Sequence, residues 1–161
     1  MKRVFSLLLA VAALVVLFSS CEPSKKVFSV GKLDITLTSS FEKLDGLGVF
    51  DAVIYSEKDG LTLYVVKEYP EDMAARGIKS FEDYVDAARE DFGIQKENVV
   101  FEEGLAYFAF FDEAENKSAA DTVCMYEGGG TYYMIIFDCD ALAHLSLYDT
   151  IIKYARSVKI N

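Results

Sequence analysis

Asp138, Asp140 and the single histidine of the chain, His144, fall within seven residues, a grouping that could hold a divalent cation. A zinc site asks for a second histidine or a cysteine ligand, and neither accompanies them. The plainer reading makes Asp140 a helix cap and His144 a helix-surface side chain. A Ser-His-Asp triad can be written from any sequence holding those letters, but no GxSxG elbow is present here to expose a nucleophile. Cys124 and Cys139 could pair in an oxidising compartment. With a hairpin turn centred on Gly129, however, Cys124 opposes Met134 and lies on the other sheet face from Cys139. The α-carbons would then be well over ~7 Å apart, so two buried free thiols are expected. "EGGGTYY" is followed by a strand pattern rather than a helix carrying Lys and Ser or Thr, which makes it a hairpin turn and not a phosphate cradle. "DEAENKSAAD" lacks the glycine and terminal glutamate of a calcium loop and reads as a polar loop, with "NKS" a formal glycan sequon. None of these patterns implies a catalytic residue, a bound metal or a cofactor.

The third thiol, Cys21, has a different setting. Lys2 and Arg3 open the chain, and "VFSLLLAVAALVVLF" follows over residues 4–18. As a helix that run spans about 22 Å, short of a hydrocarbon core of about 30 Å and ordinary for a signal-peptide apolar region. Ser19 and Ser20 then precede Cys21. The arrangement resembles the lipobox of bacterial lipoproteins, with Phe18 standing where leucine is commonest. The resemblance implies a signal peptide over residues 1–20, acylation of Cys21 by chains such as palmitate, and a lipidated tether over residues 21–27. It places the domain at the extracytoplasmic face of the cell membrane, in the outer leaflet or the periplasm according to the envelope. Ordinary secretion and an uncleaved anchor are the alternatives.

Charge narrows the partners. With Lys2 and Arg3 in the leader, 14 basic residues face 26 acidic ones in the remainder, a net of −12. Such a surface repels phosphate backbones, so nucleic acid is not an expected partner. "SKK" at residues 24–26 is the only basic pair near the anchor, which disfavours adhesion to anionic lipid by charge alone.

The elements that would carry these residues are legible from periodicity. "KLDITLTS" alternates Leu33, Ile35 and Leu37 against polar neighbours after a turn at Gly31. "GVFDAVIYSEKDGLTLYVVKEY" gives two strands joined at "SEKDG". In "KSFEDYVDAAREDFG", Phe81, Tyr84, Val85, Ala88 and Phe92 form one helical stripe. Ser80 and Asp83 are placed for a capping box, Gly93 ends the helix, and the acids on its other faces are solvation. "NVVFEEGLAYFAFFDEA" reads as a short and a long strand, and "TYYMIIF" is apolar on both faces, as a central strand would be. The last helix, "ALAHLSLYDTIIKYA", is expected to bury Leu145, Tyr148, Ile152 and Ala155, widened by Leu142 and Ile151. A single α+β domain over residues 28–161 follows, with a mostly antiparallel sheet and helices packed on it.

The phrases "FSVGKLDITLTSSFEK", "KSFEDYVDAAREDFG", "VCMYEGGGTYYMIIFDC" and "YDTIIKYARSVKI" resemble the Mog/PsbP-like sandwich, including its secreted bacterial lipoproteins. Proteins named for that family are small accessory proteins, in photosystem assembly or in binding a nuclear-transport GTPase. The resemblance implies a non-enzymatic binding module and transfers neither a partner nor a contact residue; another envelope protein is the partner expected of a domain held at that membrane. Tyr132 and Tyr133 beside the glycine turn, and Tyr69 before Pro70, are the candidate interaction surface, against the plainer view that the fold covers the tyrosine pair. A small-molecule or lipid carrier with an apolar pocket between sheet and helix is the first alternative. A hydrolytic enzyme built around His144 is the second.

Overall fold

The computed structural model describes residues 23–114 and 117–161. Strands β1 (Lys25–Val30) and β2 (Leu33–Thr38) form a hairpin, joined at the far edge of β2 by the short β10 (Lys159–Ile160). The larger sheet has β3 (Glu42–Leu47), β4 (Phe50–Ser56), β5 (Leu61–Glu68), β6 (Val100–Glu102), β7 (Leu105–Ala114), β8 (Lys117–Gly128) and β9 (Thr131–Asp140), in the order β3-β4-β5-β9-β8-β7-β6. Each of these pairings is antiparallel. Helices α1 (Pro70–Ala75) and α2 (Phe81–Asp91) link β5 to β6, and α3 (Ala141–Ala155) follows β9.

The central position of β9 agrees with its two-sided apolar sequence. On one face, Tyr133, Ile135, Phe137 and Cys139 are buried under the small sheet and α3, together with Leu33, Ile35, Leu37, Ile54 and Leu63. On the other, Tyr132 is buried and Met134 and Ile136 are half-buried against α1 and α2. Helix α2 follows its sequence closely. The Ser80 hydroxyl accepts from Asp83 N–H, and the Asp83 carboxylate accepts from Ser80 N–H, so the capping box closes.

Several boundaries differ from the sequence reading. β1 begins at Lys25, so Lys25, Lys26 and Val27, read from the sequence as part of a tether over residues 21–27, belong to the sheet. Ser24 is already fixed, its carbonyl accepting from Ser39 N–H at 2.7 Å. β3 and α1 were not anticipated; Tyr69 precedes α1 as its N-cap and Pro70 occupies the first turn, where its missing N–H is harmless. The expected polar loop at "DEAENKSAAD" is largely hairpin, since β7 and β8 stay paired out to Ala114 and Lys117.

The β8–β9 turn also departs by one residue. Gly128 pairs with Thr131, leaving a two-residue loop in which Gly129 and Gly130 have φ of 59° and 73°. Two consecutive positive φ angles suit glycine and match the strand twist of a tight hairpin. Gly128 is needed for space instead: a Cβ there would lie 2.9 Å from the Ile160 side chain. The one-residue change in register puts Cys124 opposite Ile135, and so on the same face as Cys139. Cys139 opposes Ala120, four residues further along β8, which separates the thiols by ~13 Å along the strand. Both are free and buried. Burial pushes the Cys139 thiol up to about 11 and the Cys124 thiol higher still, so neither is a nucleophile near neutrality.

Helix α3 keeps its expected stripe at Tyr148, Ile151, Ile152 and Ala155 and departs from it in its first turns. Its buried residues are His144, Ile151, Ile152 and Ala155, with Tyr148 half-buried, while Leu142 and Leu145 are 92% and 85% exposed. There the buried Thr122 hydroxyl on β8 meets His144, a contact a leucine could not make.

Candidate functional site

Cys21, the residue with the most specific sequence signal, lies outside the described residues. Of the three tyrosines singled out as an interaction surface, the structure leaves only Tyr69 open, 43% exposed and with Lys67 Nζ 5.9 Å from its ring centre. Tyr132 is buried and stacked on Tyr84 at 4.7 Å between ring centres. Tyr133 is buried on the opposite face, and its hydroxyl accepts from Lys32 N–H at 3.2 Å. The adjacent tyrosines therefore anchor α2 on one side of β9 and the β1–β2 turn on the other. They are core, not surface.

His144 is buried rather than on the helix surface. Its Nε2 lies 3.1 Å from the Thr122 hydroxyl, its ring makes edge contacts with Phe111 and Tyr148 at 5.7 Å each, and Nδ1 has no partner. Burial lowers its pKa, which keeps the ring neutral at pH 7. Asp140 caps α3 by accepting from Leu142 N–H at 2.8 Å. Among the described residues no three side chains of metal-binding type converge. No helix among them is long and apolar enough to cross a membrane.

What the fold exposes was hard to see in the sequence. Leu142 and Leu145 share one face of α3, and Phe111, 59% exposed, makes an edge contact with the buried His144. A cleft of about 230 Å³ opens between α2, the link that precedes it and the sheet, with Ile78, Tyr84, Phe92 and Met134 among its walls. At its rim Arg76 stands 3.8 Å from the half-buried Glu68 and 4.0 Å from the exposed Asp91, both long contacts that contribute little stability. The Tyr84 hydroxyl in this cleft is buried without a hydrogen-bond partner. Burial, with the nearby Glu68 carboxylate second, pushes its pKa above the ordinary phenol range, yet the pair lies outside hydrogen-bond geometry. Two open grooves flank the C-terminal half of α3. One, of about 300 Å³, runs between the helix and β2 beside Pro23. The other, of about 590 Å³, lies on the side of Tyr107 and Arg156. Arg156 donates twice to Glu102, at 2.9 and 2.6 Å, and that contact is the main reason the Glu102 carboxyl is held below its usual pKa.

Together the two sheets and three helices define an α+β sandwich of the PsbP/Mog1-like fold. The chain is similar to cyanobacterial PsbP (CyanoP) from Synechocystis sp. PCC 6803, with a TM-score of 0.54 at 12% identity over 89% of this chain and 96% of that one. It is similar to the Saccharomyces cerevisiae Ran-binding protein Mog1p, with a TM-score of 0.53 at 12% identity over 86% and 96% of the two chains. A Bacteroides thetaiotaomicron VPI-5482 protein aligns with a TM-score of 0.55 at 8% identity, over 86% of this chain and 48% of its own, about half its length. At these identities the likeness is one of fold. No family model matches the chain. No curated protein matches it either.

Proposed function

We propose that the protein is a bacterial envelope lipoprotein, anchored through acylated Cys21 at the extracytoplasmic face, whose sandwich domain is a non-enzymatic binding or accessory module. The observation that carries this reading is the junction between leader and fold. A basic, then apolar, then small-residue segment ends at Cys21, and strand β1 starts at Lys25, so the leader abuts the domain without a long linker. One acyl chain holds a protein marginally and two or three hold it stably, at about 0.8 kcal/mol per buried methylene. The PsbP and Ran-binding proteins that share the fold support an accessory role. The neutral, enclosed His144 is arranged as a core residue and not as a catalytic base. Leu142, Leu145 and Phe111 offer a contact surface for another envelope protein.

Mass spectrometry of the membrane-extracted protein is expected to find cleavage before Cys21 and acyl mass on that residue. Cys21→Ala is expected to leave the precursor uncleaved or to release the protein. Membrane retention of a cleaved Cys21→Ala form would refute the anchor. For the binding role, Leu142→Glu with Leu145→Glu should abolish co-purification of a membrane partner while leaving the melting temperature unchanged.

A carrier role is favoured by one observation, the cleft holding the unpartnered Tyr84 hydroxyl. At about 230 Å³ it is smaller than the ~300 Å³ at which ligand pockets usually begin, so its cargo would be one ring or a short chain with a single polar end. Phenol as an NMR probe should shift the Tyr84 resonances, and Ala87→Leu, which fills the cleft, should remove the shift. No shift at Tyr84 would exclude the role.

A further inference from the structure

We infer that the cleft between α2 and the sheet is a recognition site for a free apolar α-amino acid, its zwitterionic end at Tyr84, Arg76 and Glu68 and its side chain among the apolar walls. This assignment rests on the carrier reading of the cleft and names its cargo. The Tyr84 ring is fixed by stacking on Tyr132, yet its buried hydroxyl has no hydrogen-bond partner. Burial keeps the phenol protonated, so the hydroxyl has a hydrogen to donate. A buried donor left unpaired is costly, and a ligand that accepts from it relieves that cost.

Charged side chains of both signs stand beside this hydroxyl. The Arg76 guanidinium lies between a carboxylate on the sheet and one on the helix. Its Nη1 is 3.8 Å from Glu68, the last residue of β5, and its Nη2 is 4.0 Å from Asp91, the last residue of α2. Both separations exceed the ~3.2 Å reach of an N–H···O bond. Its contact with the Met73 sulfur, at 3.7 Å, is to a weak acceptor. Opposite charges therefore face one another at the rim without being hydrogen-bonded. A ligand with only a carboxylate would meet Arg76 and Tyr84 but also the two acids. One with only an ammonium would meet the acids but also Arg76. An α-amino acid carries both groups on one carbon. Its carboxylate accepts from Arg76 and Tyr84 while its ammonium donates to Glu68, so that each charge is opposed. It has no net charge, and the acidic surface of the domain does not repel it. The other walls include Val66, Ile78, Ala87, Phe92 and Met134 and suit an aliphatic side chain. A branched amino acid is also small enough for about 230 Å³, which is below the usual range of drug-sized pockets. The Tyr84 hydroxyl is screened from solvent, so a side chain must move aside for a ligand to reach it. Arg76, 55% exposed and held by long contacts, is free to do so.

The full chain, extracted from membranes in detergent, is titrated with leucine, 4-methylpentanoate, 3-methylbutylamine and phenol, and binding is read by calorimetry and by the Tyr84 resonances. The first three probes share a branched tail; the second lacks the ammonium and the third lacks the carboxylate. Leucine should bind at least about tenfold more tightly than either. Arg76→Gln should bring leucine down to the affinity of the amine, and Glu68→Gln to that of 4-methylpentanoate, with the melting temperature unchanged in both. Tyr84→Phe, which removes only the unpartnered hydroxyl, should weaken leucine without lowering the melting temperature. Leucine no tighter than either of its halves, or a Tyr84 shift with phenol and none with leucine, would overturn the amino-acid assignment and leave the carrier reading standing. Leucine binding that survives Ala87→Leu would place it outside the cleft and overturn the proposal. No shift with any probe would overturn both readings and leave the Tyr84 hydroxyl to water.

Discussion

The two faces of the seven-stranded sheet are covered by different means. Beneath the small sheet and α3, Ile54, Leu63, Ile135 and Phe137 are fully buried, and even the polar Thr122 is sealed by its contact with His144. Beneath α1 and α2, Phe108, Val123 and Met125 are buried as deeply, but Met134 and Ile136 are half-buried and the cleft with an unpartnered hydroxyl lies there. A three-stranded sheet together with a helix covers a wide surface continuously, whereas a six-residue and an eleven-residue helix leave gaps. Each face therefore has a buried core, and the second also has room to change its contacts at Met134 and Ile136.

Four measurements would break or sharpen that contrast. Phe137→Ala, on the sealed face, should cost about 3–5 kcal/mol in denaturant unfolding. Ile136→Ala, one residue along on the open face, should cost clearly less, and equal losses would dissolve the distinction. A smaller effect is expected from acid on the sealed face. His144 is held neutral by burial, so its folded pKa lies below its unfolded one and the unfolded chain binds more protons between them. Stability from this group is full above about pH 6.5 and declines as pH falls below it; His144→Gln should flatten that part of a stability-against-pH profile. On the open face, Ser80→Ala should remove about 1 kcal/mol through the α2 cap, read as a lowered melting temperature. Leu145→Ser should change stability by no more than about 0.5 kcal/mol, because the side chain already stands in water. A larger loss would mean that α3 sits as its apolar pattern suggested.

The comparison of α2 with α3 explains why one element was legible throughout and the other only in part. In α2 the apolar spacing, the Ser80–Asp83 box and the acidic outer faces all agree, so local rules were sufficient. In α3 the expected stripe is covered at Tyr148, Ile151, Ile152 and Ala155, but at the start of the helix His144 is buried in place of Leu142 and Leu145. The buried His144 meets Thr122, 22 residues earlier on β8, a partner that local spacing does not reveal. The tyrosine pair shows the same limit. Adjacent aromatics on a strand must face apart, but whether water or protein meets them depends on where α2 and the β1–β2 turn come to rest.

By itself the sequence determined the strand alternation, the capped helix, the glycine turn and the net acidity, because each depends on neighbours a few residues away. Tertiary structure decided the one-residue register at Gly128–Thr131 that put Cys124 and Cys139 on one face, the burial of Tyr132, Tyr133 and His144, and the early start of β1 beside the groove. Those outcomes depend on groups that meet only after the chain has closed on itself, and a linear pattern holds no record of such meetings.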